Sequence, residues 1–489
     1  MTGLLSSRCT ERAHQHYPIV MHNDLARAHA MFEAAAAGEQ QTRRAEVLIV
    51  GGGLAGLAAA HGLRDRDWLL CELGPRLGGS AGFASDGGLS FAQGAHYELE
   101  QPGWYGQEVT ALLEQLGILQ FNGLRNMWEY ADQQFLIEPS RESRAWVLGR
   151  VGETVLPPTA ETQTFINLLA PFEKRMPQPL RLLEPDLKPL AEISFAQYLR
   201  DAGLPLLPSF LRGLDYHMKD DYGAGAEAVS ALAGIHYYRC RPYYVDMVRV
   251  FSPPEGNGYF VTKLAGGLPA DRLLTHHLVR RIETTADGFR VQVARDEGLL
   301  NLQVKQLVYA GHKHGLKYVM PAAAGAFEHI RYAPWVVMNL IIDGRSFGDV
   351  YWQNDVIGSD QRFLGFVNSM AQAEETRNRH VLTAYYCLPL EQREIMAEMD
   401  GDSIRPMVDA TITAIETALD RPLRSRVEKV HVKLHGHGMP IPEPGYLFRD
   451  GNLNRPNPGM VFAGVDNGRL PLIFEALDSG LTAASLLKN

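Results

Sequence analysis

Gly51, Gly53 and Gly56 stand as Gly-x-Gly-x-x-Gly, and an acid, Glu72, comes about twenty residues later. Glycines at that spacing permit a tight turn, a close approach of backbone to a pyrophosphate, and a close contact between helix and strand. The acid can accept hydrogen bonds from a ribose diol, and it repels a ribose phosphate. The chemistry these residues support is dinucleotide binding, with Gly51, Gly53, Leu54, Ala55 and Gly56 at the phosphates and Glu72 at the ribose. A second group is Asp220-Asp221-Tyr222. Two carboxylates beside aromatic rings can hold a cationic amine by charge pairing and cation–π contact; the alternative is a helix cap or a solvated loop. His437, in His435-Gly436-His437-Gly438, is the candidate polar group at a reacting centre, against the alternative of a turn histidine satisfied by backbone.

The elements that must position the glycines are legible around them. Val47 to Val50 is a continuous apolar run suited to a buried parallel strand, Leu54 to Ala60 is small and apolar at helical spacing, and Trp68 to Cys71 reads as the next strand. After Leu278 the period becomes two, through Val279, Ile282, Phe289, Val291, Val293, Leu302 and Val304 to Tyr309-Ala310, which predicts a meander. Trp335 to Ile342 and Val381 to Tyr386 predict further strands, and Arg405 to Leu419 a helix laid on their sheet. Ser194 to Leu211 reads as one helix, and an N-terminal helix is expected from Asn23 or Asp24 through Gly38. Its neighbours His14, His16 and His22, with His29, lack acidic or cysteine partners at ligand spacing, so no metal site is expected.

The segment after Glu72 separates flavin from nicotinamide. Leu73, then Arg76-Leu77-Gly78-Gly79, then the glycine-rich Gly88 to Tyr97 resemble the FAD-dependent amine oxidase and phytoene desaturase superfamily, as do Pro458 to Asn467 and Phe474 to Ala484 near the C-terminus. The resemblance covers nearly the whole chain. It implies that Arg76, Gly78 and Gly79 wrap the FAD diphosphate, that Gly94, Ala95 and His96 pass near the flavin, and that the backbone of Val279 meets the adenine. It further implies that Ala310 lies near the diphosphate, that Gly464 and Asp466 reach the ribityl chain, and that Leu472 opens the helix facing the flavin pyrimidine. Gly74 and Ser80 stand where many amine oxidases carry arginines, and Trp335 to Ile342 lacks their lysine near flavin N5. Asp220 to Gly223, Ala233 to Tyr237, Pro254 to Gly258 and Glu475-Ala476 are similar to one branch, the bacterial spermidine dehydrogenases.

The implied fold is α/β: a Rossmann-type FAD-binding domain with an α+β substrate domain on a mixed sheet. The expected division is an N-terminal extension (1–44), a discontinuous FAD-binding domain (45–100, 260–325 and 430–489) and a substrate domain (101–259 and 326–429). A net charge of −9 argues against nucleic acid as partner, and no run of 18 apolar residues predicts a membrane span. The N-terminus lacks the pattern of a secretory signal, which makes the cytoplasm the default compartment. The monoamine oxidases of the superfamily that the chain resembles attach FAD to a cysteine in their C-terminal part, and since no cysteine occurs after Cys387 the resemblance implies noncovalent FAD, with histidyl attachment as the alternative. The expected activity is hydride removal from a C–H next to the nitrogen of a small amine, with O2 or a redox protein as acceptor. Two alternatives stay open: a desaturase or isomerase of an apolar substrate, and a silent flavin-fold scaffold.

Overall fold

The computed structural model describes residues 17–22, 39–99, 105–152, 154–240, 249–344, 350–358, 361–372, 378–449 and 458–488. The helix expected before Gly38, and His14, His16 and His29, lie outside them. In chain order, the elements used below begin with β1 (Ile19–His22), β2 (Glu39–Val50), α1 (Leu54–Gly62), β3 (Trp68–Cys71), β4 (Phe83–Asp86) and β5 (Leu89–Ala92). Next come β6 (Ser143–Val147), β7 (Arg150–Gly152), α2 (Pro208–Tyr222), α3 (Ala231–Cys240), β8 (Leu273–Leu274), β9 (Leu278–Thr285), β10 (Gly288–Arg295) and β11 (Gly298–Tyr309). The last are β12 (Tyr332–Asp343), β13 (Gln353–Ile357), β14 (Phe363–Asn368), β15 (Arg379–Cys387), α4 (Arg405–Leu419), β16 (Val427–Pro440), β17 (Met460–Phe462) and α5 (Ile473–Lys488).

Among the described residues one sheet runs β8-β3-β2-β11-β10-β9, with β17 also paired to β11. β2 lies parallel to β11 from Glu39 to Val50, but parallel to β3 only over Val47 to Val50. The other edge of β11 takes β10 antiparallel and then β17 parallel over Leu307 to Tyr309. Val47, Leu48 and Ile49 are fully buried, as a parallel strand covered on both faces requires. On one face, α1 is buried from Leu54 to Ala60 and shares a core with Leu477, Ala483 and Ala484 of α5. The meander folds over the other face through Val279, Ile282, Val291 and Leu302.

A second, mixed sheet runs β1-β16-β12-β15-β14-β13-β6-β7, with β1 parallel to β16 and β6 parallel to β13. The strand period sorts its faces. Val336, Met338 and Leu340 of β12 pack against Val408, Ile412 and Ile415 of α4, while Trp335, with Tyr385 and Cys387 of β15, faces the core that contains α2 and α3.

Four details differ from the sequence reading. β1 and the first residues of β2 belong to the sheets rather than to an extension, and the boundary at 430 falls inside β16, a strand of the second sheet. Gln41 to Arg44 of β2 are polar and exposed, and among the described residues one edge alone is paired there, which hides the strand character. The helix expected over 194–211 breaks at Gly203 (φ +81°), giving Phe195–Asp201 and then α2, which places Asp220 and Asp221 in the last helical turn, before Gly223 (φ +76°). His437 sits in β16, not in a turn.

Candidate dinucleotide and amine site

Gly51 ends β2 with φ +103°, and a Cβ there would stand 2.9 Å from Ala310 O. At Gly56 a Cβ would stand 1.9 Å from Gly51 O. The chain's own packing requires both glycines. Gly53 is different: its φ is −74°, and the atoms nearest to an added Cβ lie 3.9 and 4.0 Å away, in Gly78 and Gly79. No contact among the described residues demands glycine there, whereas a phosphate approaching the N-terminus of α1 would. That helix end has no side-chain cap and no acid in its first turn, so its N–H groups are suited to an anion. The N–H of Gly78 donates to Gly52 O at 2.8 Å and lays the second glycine segment against the first, while exposed Arg76 donates to Phe83 O at 3.3 Å.

Glu72 closes the other end of the cradle. Its Oε2 accepts the N–H of Gly52 at 2.7 Å and its Oε1 that of Gly74 at 2.8 Å. A carboxylate oxygen can accept more than one hydrogen bond, so these contacts orient Glu72 without preventing a hydroxyl from binding it. The N–H of His277, two residues before Val279, donates to Glu72 O at 2.8 Å, and Ala310 donates to Val50 O at 2.8 Å. Leu73 packs on Leu278, Ala294 and Leu299. These residues fit a dinucleotide: phosphates at Gly53, Leu54, Ala55, Gly78 and Gly79, and a ribose at Glu72. Gly53→Ala is therefore expected to keep the wild-type melting temperature within a few degrees and to lose most of the bound cofactor, measured as absorbance of the desalted protein; a variant that holds cofactor as tightly as wild type would remove the phosphate from this position.

Two further groups adjoin the cradle. Ala95 donates to Ser80 O at 3.0 Å, which brings Gly94, Ala95 and His96 beside Gly79. From there the ring of His96 meets Tyr97 (5.1 Å), Tyr385 (5.4 Å) and Trp352 (5.9 Å), and Tyr385 stacks on Trp335 at 6.1 Å. Tyr216 shares a core with Trp335, Trp352 and Tyr385 and feels Asp355, Tyr385 and Asp220, which links these rings to a group of carboxyls from three parts of the chain. Asp220 is pushed up to about 8 by burial and by Asp355, and burial followed by Asp220 and Glu98 raises Asp221 well above the carboxylate range. Glu98 is itself pushed to about 8 by burial, against the hydrogen bond that Asn257 Nδ2 donates at 3.0 Å. Asp355 is pushed to about 6, again by burial, and accepts from Tyr216 Oη at 2.8 Å. Tyr222 is fully buried in the same core. Sequence reasoning finds Asp220 and Asp221 but not Glu98 or Asp355; the only signal for Glu98 is its place two residues after His96.

The second group lies where β11, β17 and β12 meet. Asp466, 4% exposed, accepts the N–H of Lys313 at 2.7 Å, Lys313 Nζ at 2.9 Å and Tyr332 Oη at 2.9 Å. Burial raises this carboxyl, but the Lys313 charge and these bonds outweigh it and hold it below the usual range. Nearby, His437 stacks on His314 with centroids 3.6 Å apart and 5.4 Å from the ring of Tyr332. Burial first, and Arg393 after it, push His437 to about 3; burial first, and the neighbouring imidazoles after it, push His314 to about 2 against the opposing charge of Asp466, so both imidazoles are neutral at physiological pH. Gly464 donates to Ser479 Oγ at 3.0 Å, and Leu472 O receives Ala476 at 3.1 Å at the start of α5. Lys313, just beyond the predicted strand end, escapes sequence reasoning because a lysine there reads as solvated.

A family model described as an NAD(P)-binding Rossmann-like domain matches residues 49–116. Among curated proteins none matches the chain. Among solved structures, wild-type putrescine oxidase bound to putrescine is similar at 15% identity and a TM-score of 0.65, over 92% of this chain and 100% of that one. Cyclohexylamine oxidase from Brevibacterium oxydans is similar at 17% identity and 0.61, over 91% and 100%. A protein assigned only provisionally as a protoporphyrinogen oxidase, from Exiguobacterium, is similar at 15% identity and 0.62, over 92% and 99%. At such identities the likeness shows the fold, and the chain accordingly has the architecture of these oxidases: a Rossmann-type dinucleotide-binding domain joined to a second domain on a mixed sheet.

Proposed function

We propose that the protein is an FAD-dependent oxidoreductase that removes a hydride from a C–H next to nitrogen in a cationic amine, with diamines and polyamines as the substrate class. The observation that carries this reading is the set of carboxyls Glu98, Asp220, Asp221 and Asp355 behind the rings of His96, Trp335, Trp352 and Tyr385, beside the dinucleotide cradle. A spermidine dehydrogenase-like preference is the finer form of the same reading, supported by the Asp220 to Gly223 motif. Neighbours of the same fold named for putrescine and cyclohexylamine agree with it.

Bound FAD would supply the hydride acceptor, its N5. The chain's own groups do the rest. Asp220 and Asp221 pair with an ammonium remote from the reacting carbon, and the aromatic rings exclude water and fix the alkyl chain between the two. The neutral imidazole of His437 offers no charge that would repel the substrate. Noncovalent attachment is supported by the thiols: Cys387 donates to Gly223 O at 3.4 Å, and burial pushes both it and Cys71 up to about 12. The test is anaerobic bleaching of the flavin across a diamine, a monoamine, an amino acid and a polyene. Rapid bleaching by the diamine is expected; bleaching by the polyene and by no amine would replace this reading with the desaturase alternative.

A further inference from the structure

A hollow behind the Glu72 segment takes no part in that chemistry. Thr42 and Arg43 of β2, Leu274, His277, Arg295 at the end of β10 and Leu300 of β11 line an open cavity of about 380 Å3. It shares a wall with the cradle, since Glu72 N–H donates to Leu274 O and His277 N–H to Glu72 O, both at 2.8 Å. The Glu72 carboxylate is engaged elsewhere, at Gly52 and Gly74.

The lining is cationic and incompletely paired. The Arg295 side chain is 15% exposed, and its nearest carboxylate, that of Glu297, lies 3.9 Å off and is 75% exposed. Among the described residues Arg295 Nε is buried without a hydrogen-bond partner, which is costly for a guanidinium N–H unless an acceptor comes from outside the chain. Arg43 is exposed on the half of β2 that pairs with β11 but not with β3, and makes no ion pair among the described residues. His277 directs Nδ1 to Thr275 O at 2.6 Å, so Nε2 is its remaining polar atom.

We propose that this hollow binds a phosphate-bearing anion, with Arg43 and Arg295 carrying the charge recognition, Thr42 adding a hydroxyl, and Leu274 and Leu300 forming an apolar floor. Two guanidiniums match the geometry of phosphate oxygens, and the volume lies in the range of small-molecule sites rather than of a single trapped water. The probe is pyrophosphate, titrated calorimetrically into the protein as purified and again after saturation with FAD. One site is expected to remain once FAD has filled the glycine cradle, weakened at least tenfold by Arg295→Met and weakened also by added salt. Absence of heat up to ~1 mM pyrophosphate, unchanged affinity in Arg295→Met, or loss of binding on FAD saturation would overturn it, the last because the hollow would then be part of the cofactor site. Should Arg295→Met lower the melting temperature, Arg43→Glu, at an exposed position, carries the same expectation.

Discussion

Lys313→Met is expected to lower the free energy of unfolding by about 3–5 kcal/mol, the range typical of leaving one member of a buried ion pair without its partner. The Lys313 side chain is 0% exposed, and its ammonium donates to Ala463 O at 2.7 Å, Gly311 O at 3.3 Å and Asp466 Oδ1 at 2.9 Å. It therefore ties the end of β11 to the end of β17, and without it Asp466 keeps a buried charge with only Tyr332 and one backbone N–H to stabilise it. The sign of the pH dependence is set by Asp466. Its pKa is lowered in the folded protein, so its contribution is full above the ordinary carboxylate range and is lost as pH falls through the lowered value. In the variant protonation relieves the buried charge, and the deficit against wild type narrows on acidification. Urea unfolding at neutral and acid pH measures both; a loss below ~1 kcal/mol at neutral pH would mean that the pair is solvated.

Asp221→Asn is expected to reduce kcat/KM for a diamine about 100-fold, equivalent to ~2.7 kcal/mol, with a much smaller effect on a monoamine and unchanged flavin content. Asp221 is 9% exposed, and burial followed by Asp220 and Glu98 favours its neutral form, so it ionises against the ammonium that enters the group, and water barely screens the resulting pair. Asp220→Asn should act in the same direction. Because Asp220 is pushed to about 8, it is neutral below that pH and charged above it, and diamine affinity should rise as pH climbs through about 8. Stability has the opposite dependence: the raised pKa of Asp220 contributes stability in full below the ordinary carboxylate range, and that contribution is lost as pH rises from there to about 8, above which the empty protein should be least stable. Equal losses for monoamine and diamine in the Asp221 variant would dismiss charge recognition by this helix turn.

The parts of this molecule that depend on local pattern are legible in the sequence. The α4 helix is expected over Arg405 to Leu419 and is found there, since its apolar positions repeat at helical spacing and meet one sheet face. Gly51 and Gly56 stand where a turn and a close contact require them. What escapes is what distance along the chain conceals. Glu98 and Asp355 join Asp220 only after the second sheet and α2 have packed, and each of the two alone reads as a surface acid. Lys313 reads as solvated until Asp466 arrives beside it. β16 escapes for a different reason: residues from Lys433 to Met439 are only partly buried, so they lack the alternation that marks a half-buried strand.

β1 pairs with β16, and the hydrogen bond between His22 and His431 that joins them spans 409 residues. The inner edge of β12 is likewise paired only by β16. During synthesis this leaves β12, buried along nearly all its length in the finished protein, with an open edge until almost nine-tenths of the chain has been made. Such an edge is a template for pairing with other chains, and contacts of this separation form slowly. The newly made protein should depend on chaperones, and truncation before Val427 should yield aggregates rather than a soluble dinucleotide-binding fragment.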